Sequence, residues 1–176
     1  MTQRQVAWRP ARGPGIERVA LRTSPAFIAD ALVVGRRWAV TYRLRCDRAG
    51  TTRALDVAVL GGRGVRLRHD GRGRWRIDGR RVRALDGCRD ADLSCTPLTN
   101  ALPIRRLRLA VGASCDIRVA LVAVPSLTVA TAVQTYRRLA GDRYRFTASR
   151  GRFQRSLRVD RDGLVVDYPG LFRRLR

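Results

Sequence analysis

The chain has 176 residues, 45% of them hydrophobic, with 37 basic against 14 acidic side chains and a formal net charge of +23. That apolar content excludes a disordered tail, and the length suits one domain, 1–176, able to bury about 70% of its unfolded surface. The segment Met1–Pro10 has neither an apolar core nor a small-residue cleavage site, so it does not read as a secretory signal and a cytoplasmic address is expected.

Taken in chain order, the apolar residues recur with period two. Trp38, Val40, Tyr42 and Leu44 alternate with Ala39, Thr41 and Arg43, and Leu55, Val57 and Val59 alternate with Asp56 and Ala58. Val65 and Leu67 alternate with Arg66 and Arg68; the run His69 to Gly73 then turns the chain into Trp75–Ile77. This predicts a hairpin with apolar groups on one face and guanidinium groups on the other. A helix is expected near Asn100–Leu109, with Thr99 or Asn100 as N-cap, Pro103 in the first turn, and Arg105, Arg106 and Arg108 near the negative end of the dipole. The uncharged run Val119–Tyr136 is long enough for a bilayer, but Pro125-Ser126 divides it, predicting two core strands and no transmembrane segment. Ile117-Val119-Leu121, Tyr144-Phe146 and Leu157-Val159 continue the alternation, and Ala49-Gly50, Gly61-Gly62, Asp78-Gly79, Gly141-Asp142 and Asp162-Gly163 mark turns. The expected fold class is mainly β, a meander of short half-buried strands forming a roll or barrel-like sheet.

The basic residues are all arginine, and Glu17 is the only glutamate. A phosphate-binding surface has no reason to exclude lysine, so a complete absence reads as codon usage acting on ordinary surface positions. A chain this basic attracts polyanions, and at most non-specific nucleic-acid binding is expected, centred on the dense stretch Arg63–Arg83.

Candidate chemistry is sparse. Cys46, Cys88, Cys95 and Cys115 form no C-x-x-C pair and are expected to stay reduced. His69, the sole histidine, sits beside Asp70-Gly71 and reads as a solvated turn residue rather than a catalytic base. The aromatic side chains read as core filling. Asp90 and Asp92 are too few to close a metal site, so no metal and no cofactor is expected. The two carboxylates are expected to face Arg105 and Arg106 across a tight loop. With Thr99 and Asn100 they form a polar cluster that could also meet a ligand headgroup.

The same segment carries a resemblance. Gly87-Cys88-Arg89-Asp90-Ala91-Asp92-Leu93, Thr96-Pro97, Thr99-Asn100 and Leu102-Pro103-Ile104-Arg105-Arg106-Leu107 resemble the signature of a bacterial glycolipid-binding family. Gln134 with Tyr136, Val159-Asp160 with Asp162-Gly163, and Tyr168-Pro169-Gly170-Leu171-Phe172 agree in order, so the resemblance spans nearly the whole chain. It implies an antiparallel spiral β-roll wrapped around a single helix. It also implies a non-catalytic carrier of a glycolipid or other amphipathic small molecule, held in or at the mouth of the roll and open to homodimer formation. The alternative is a polyanion-binding module with no ligand cavity.

Overall fold

A computed structural model describes residues 3–175. The first half of the chain is a meander of β1 (Arg4–Pro10), β2 (Ile16–Arg22), β3 (Ile28–Val34), β4 (Ala39–Cys46), β5 (Thr52–Val59), β6 (Gly64–His69), β7 (Trp75–Ile77) and β8 (Arg80–Arg81). After a 3-10 turn at Arg83–Leu85 come β9 (Asp90–Leu93), a second 3-10 turn at Leu98–Asn100, and the helix α1 (Ala101–Leu107). The return meander is β10 (Ser114–Ala123), β11 (Thr128–Ala140), β12 (Arg143–Ala148), β13 (Phe153–Val159), β14 (Val165–Tyr168) and β15 (Phe172–Arg174).

All fifteen strands join one sheet in the order β8-β7-β6-β5-β4-β3-β2-β1-β15-β14-β13-β12-β11-β10-β9. The two meanders are sewn together by β1 against β15, with Trp8 opposite Arg174 and Pro10 opposite Phe172. The fold is the expected β-roll, and the sheet is not a closed barrel. Its pairing departs from the expectation at one place, because β9 runs parallel to β10 while every other pair is antiparallel. A parallel pair needs a long crossover, and the segment holding α1 supplies it.

Period two is realised as anticipated. Val40, Tyr42, Leu44 and Cys46 point into the roll from β4, and Val65, Leu67 and His69 from β6. The uncharged run becomes β10 and β11, paired from Ser114↔Arg137 to Ala123↔Thr128 around Pro125. Two apolar clusters fill the roll. Trp8, Leu21, Leu44, Leu55, Leu67 and Trp75 belong to one. Tyr136, Tyr144, Phe146, Leu157 and Tyr168 belong to the other. The helix joins them, placing Ala101 and Leu102 in the first cluster and Ile104 in the second. Both fully buried indoles keep a partner: Trp8 Nε1 donates to the Val165 carbonyl at 2.8 Å and Trp75 Nε1 to that of Cys88 at 2.9 Å.

Three local expectations are corrected. His69 is buried, not solvated: its ring stacks on Trp75 at 4.7 Å, Nδ1 lies 2.9 Å from the Thr52 carbonyl, and Nε2 accepts the Gly73 N–H at 3.0 Å. It simply continues the inward phase of Val65 and Leu67. Asn100 precedes the helix, but its side chain makes no cap, being engaged elsewhere. Finally α1 stops at Leu107, two residues early, where Arg108 adopts a left-handed conformation at φ 47° and ψ 43°.

On the outer face the charges alternate across neighbouring strands. Asp30 of β3 lies opposite Arg43 of β4, Arg43 opposite Asp56 of β5, and Asp56 opposite Arg66 of β6. Arg43 is hydrogen-bonded to Asp30 and Arg68 to Asp56, while Arg66 approaches Asp78 at 3.9 Å. Opposite charges facing each other across strands stabilise a sheet modestly. They also leave less free charge along Arg63–Arg83 than the composition suggests. No helix among the described residues is long and apolar enough to cross a membrane.

Candidate functional site

The chemistry of β9 and α1 divides into two arrangements rather than one. Arg106 holds Asp90 with two bonds, Nε to Oδ1 at 3.1 Å and Nη2 to Oδ2 at 2.5 Å. Arg105 meets neither carboxylate. It donates to the carbonyls of Asp162 at 2.7 Å and Thr23 at 2.9 Å, and its guanidinium lies over the Phe27 ring. Successive helical residues point about 100° apart, so two adjacent arginines cannot both face one loop. The expected pairing therefore holds for Asp90 with Arg106 and fails for Asp92 with Arg105.

Asp92 is held by neutral donors. Thr99 Oγ1 donates to Oδ1 at 2.6 Å and Gln134 Nε2 to Oδ2 at 2.6 Å. Behind Gln134 the chain of donors continues: Asn100 Nδ2 donates to the Tyr136 hydroxyl at 2.8 Å, and that hydroxyl donates to Gln134 Oε1 at 3.4 Å. Every member polarises the next toward the carboxyl group. Burial nevertheless pushes the Asp92 carboxyl above the usual aspartate range, against the pull of Thr99 and Gln134.

Asp92, Gln134 and Asn100 of this polar chain line a cleft of about 670 Å³, with Thr99 and Tyr136 behind them. Asp92 and Leu93 of β9, Thr96, Asn100 and Gln134 lie on the floor side. Phe146, Phe153, Tyr168 and Phe172 form the wall, and Arg150 and Arg152 stand at the lip in the β12–β13 connection. The wall is a packed aromatic set, with Phe146 edge-on to Phe153 at 6.0 Å and to Tyr168 at 6.3 Å, and Tyr168 6.3 Å from Phe172. Of the six residues expected in the polar cluster, the cleft takes Asp92 and Asn100. Thr99 supports the floor from behind, Asp90 and Arg106 brace the helix, and Arg105 lines a different, smaller hollow with Asp162 and Gly163.

A more open concavity of about 740 Å³ covers the outer face among Asp30, Arg43, Asp56 and Arg66. Its charged groups neutralise one another, and it offers no apolar wall comparable to the aromatic one. The 670 Å³ cleft is the better candidate because it combines an apolar wall with convergent polar groups.

Sequence reasoning missed Arg150, Arg152 and the roles of Gln134 and Tyr136. Gln134, the one amide side chain in the uncharged run Val119–Tyr136, was the available signal. It also missed Glu17, which shares the inward phase of Val19 and Leu21 on β2. Tyr42 donates to Glu17 Oε1 at 2.5 Å, and Thr96 reaches both carboxylate oxygens at 2.6 and 2.8 Å. Desolvation raises this carboxyl to about 7 despite those donors. Thr96 thus links the cleft to a carboxyl group buried behind it. Among the described residues no three His, Cys, Asp or Glu side chains gather as a metal site, and Cys46, Cys88, Cys95 and Cys115 are free thiols.

An open spiral sheet around one short helix, with a two-faced cleft at its side, defines a β-roll protein with a ligand-sized recess. The chain belongs to the family described as "Putative glycolipid-binding", whose profile matches residues 5–174. It is also similar to a DUF1089 family protein from Pseudomonas aeruginosa of known crystal structure. That likeness has 36% identity and a TM-score of 0.82 and covers 94% of each chain. No curated protein matches the chain.

Proposed function

We propose that the chain is a non-catalytic binding protein for an amphipathic ligand, a glycolipid or a related lipid, seated in the cleft above Asp92 and Gln134. The observation that carries the reading is the division of the 670 Å³ lining into a hydrogen-bonding floor and an aromatic wall. Sugar hydroxyls need directional donors and acceptors, and the lining residues Asn100, Gln134 and Asp92 carry both. Sugar ring faces and acyl chains need apolar contact, which Phe146, Phe153, Tyr168 and Phe172 provide. The family name points the same way. His69, the sole histidine, stacks on Trp75 of the first apolar cluster and lies outside the cleft lining.

Native mass spectrometry of gently purified protein, with calorimetric titration of octyl-β-D-glucoside, tests the reading. Retained lipid mass, or saturable glucoside binding, is expected for the wild type. Ala132→Trp, which fills the cleft from β11, should abolish either signal while preserving the far-UV spectrum. A wild-type protein that neither retains an adduct nor binds the glucoside overturns the proposal. So does binding unchanged in a folded Ala132→Trp variant.

A further inference from the structure

The lip of the cleft differs in charge from its floor. Asp92 is the sole carboxylate in the lining, and its two oxygens are occupied by Thr99 and Gln134. Arg150 and Arg152 are the only lining residues with a full positive charge, and no acidic group among the described residues lies within ion-pair distance of either. On the outer face Arg43, Arg66 and Arg68 each meet a carboxylate, those of Asp30, Asp78 and Asp56, but many exposed arginines do not, so it is their place in the cleft lining that sets Arg150 and Arg152 apart.

The position of these two arginines is set by strand register. Gln134 of β11 lies opposite Ala148 of β12, and Ala148 lies opposite Phe153 of β13. One row therefore runs from the polar floor to the aromatic wall over two strand spacings, about 10 Å. The Ala148–Phe153 pair closes the hairpin whose loop carries Arg150 and Arg152. Within that loop Arg150 takes a left-handed conformation at φ 55° and ψ 42°, followed by Gly151 at φ 89°. Two guanidinium-bearing residues lining the same cleft as Asn100 and Gln134 suit a phosphate oxyanion, which arginine engages with paired N–H bonds.

We propose that the cleft selects amphiphiles whose phosphate-bearing head has a net negative charge, with Arg150 and Arg152 holding the phosphate, a place where a choline ammonium would be repelled, while the floor takes the head's hydroxyl groups. This rests on the reading of the cleft as a ligand site and specifies the class of ligand it takes. A net charge of +23 attracts any anion, so the test must separate the lip from the bulk charge.

Calorimetric titrations near physiological ionic strength, where the Debye length is about 8 Å, limit that background. The probes are monomeric dihexanoylphosphatidylglycerol, dihexanoylphosphatidylcholine, octyl-β-D-glucoside and inorganic phosphate. The anionic lipid is expected to bind at least about ten-fold tighter than the zwitterionic one, a difference of about 1.4 kcal/mol. Arg150→Gln/Arg152→Gln should erase that preference while the far-UV spectrum stays that of the wild type. Arg36→Gln/Arg37→Gln, an equal loss of charge at two exposed residues outside the cleft, should keep it. A preference that survives the lip variant, or is lost equally in the control, overturns the proposal while the cleft reading stands. Inorganic phosphate binding as tightly as the anionic lipid also overturns it, by assigning the lip to a free anion. If the glucoside and both lipids fail to bind the wild type, the cleft reading fails and this inference fails with it.

Discussion

Arg106, in the last turn of α1, grips Asp90 of β9 through Nε and Nη2, and the two side chains are 11% and 1% exposed. This pair ties the helix to the edge strand of the roll, while its neighbour Arg105 ties the same turn to the Asp162 carbonyl on the other side. A seven-residue helix has little stability of its own, so its place depends on such anchors and on Leu102 and Ile104 in the two apolar clusters.

Removing one member of a buried pair strands the other. Arg106→Gln is therefore expected to cost about 3–5 kcal/mol at neutral pH, easing in acid as the orphaned Asp90 takes up a proton. Combining it with Asp90→Asn should cost less than the sum of the single changes, with a coupling above about 1 kcal/mol. Urea unfolding of the four proteins measures this, and strictly additive effects would show that the pair does not anchor the helix.

Glu17 sets a pH dependence of its own. Its folded-state pKa of about 7 lies above the ordinary 4.5, so the folded chain binds the proton more tightly than the unfolded one. The associated stability is fully present below about pH 4.5 and is lost as pH rises toward 7, by about 3 kcal/mol in all. Glu17→Gln removes the titration and should flatten this part of the profile, with Tyr42 and Thr96 still able to donate to the amide oxygen. Denaturant midpoints at about pH 5 and about pH 8 suffice, and equal slopes in wild type and variant would refute the assignment.

Gly163 occupies the turn against which α1 packs. Its φ is +76°, and a Cβ there would stand 3.1 Å from Arg105 Cγ and 3.2 Å from Ile104 Cγ2. Gly163→Ala combines backbone strain with crowding of the helix and should destabilise by about 2 kcal/mol. Gly141→Ala, where a Cβ meets nothing within 4 Å, is the matched control and should change little. Thermal unfolding distinguishes the two sites.

Nucleic-acid binding, where it is observed, should be electrostatic alone. The outer-face arginines are partly neutralised by Asp30, Asp56 and Asp78, and α1 is buried along Ala101–Ile104, unsuited to enter a groove. Affinity for duplex DNA should fall steeply with the logarithm of salt and ignore sequence. Fluorescence anisotropy with two unrelated duplexes checks this, and a strong preference persisting at about 200 mM salt contradicts it.

The primary structure determined the strand-rich character outright, because alternation such as Val40-Tyr42-Leu44 has one solution in a half-buried strand. It also placed the break at Pro125 and the single helix after Asn100, where local chemistry decides. His69 shows how local reading fails: its neighbours suggest a turn, yet the inward phase of β6 extends one residue further, where Trp75 and Thr52 wait to receive the ring. Asp90, Asp92, Arg105 and Arg106 could be singled out from sequence but not paired, because their partners depend on helix rotation and on which strand α1 crosses. The cleft itself was invisible along the chain. Its floor comes from β9 and β11, its wall from β12 to β15, and its lip from a hairpin loop. Only the curvature of the assembled sheet brings these together, since side-chain periodicity specifies which face a residue occupies and says nothing of which distant strand lies opposite.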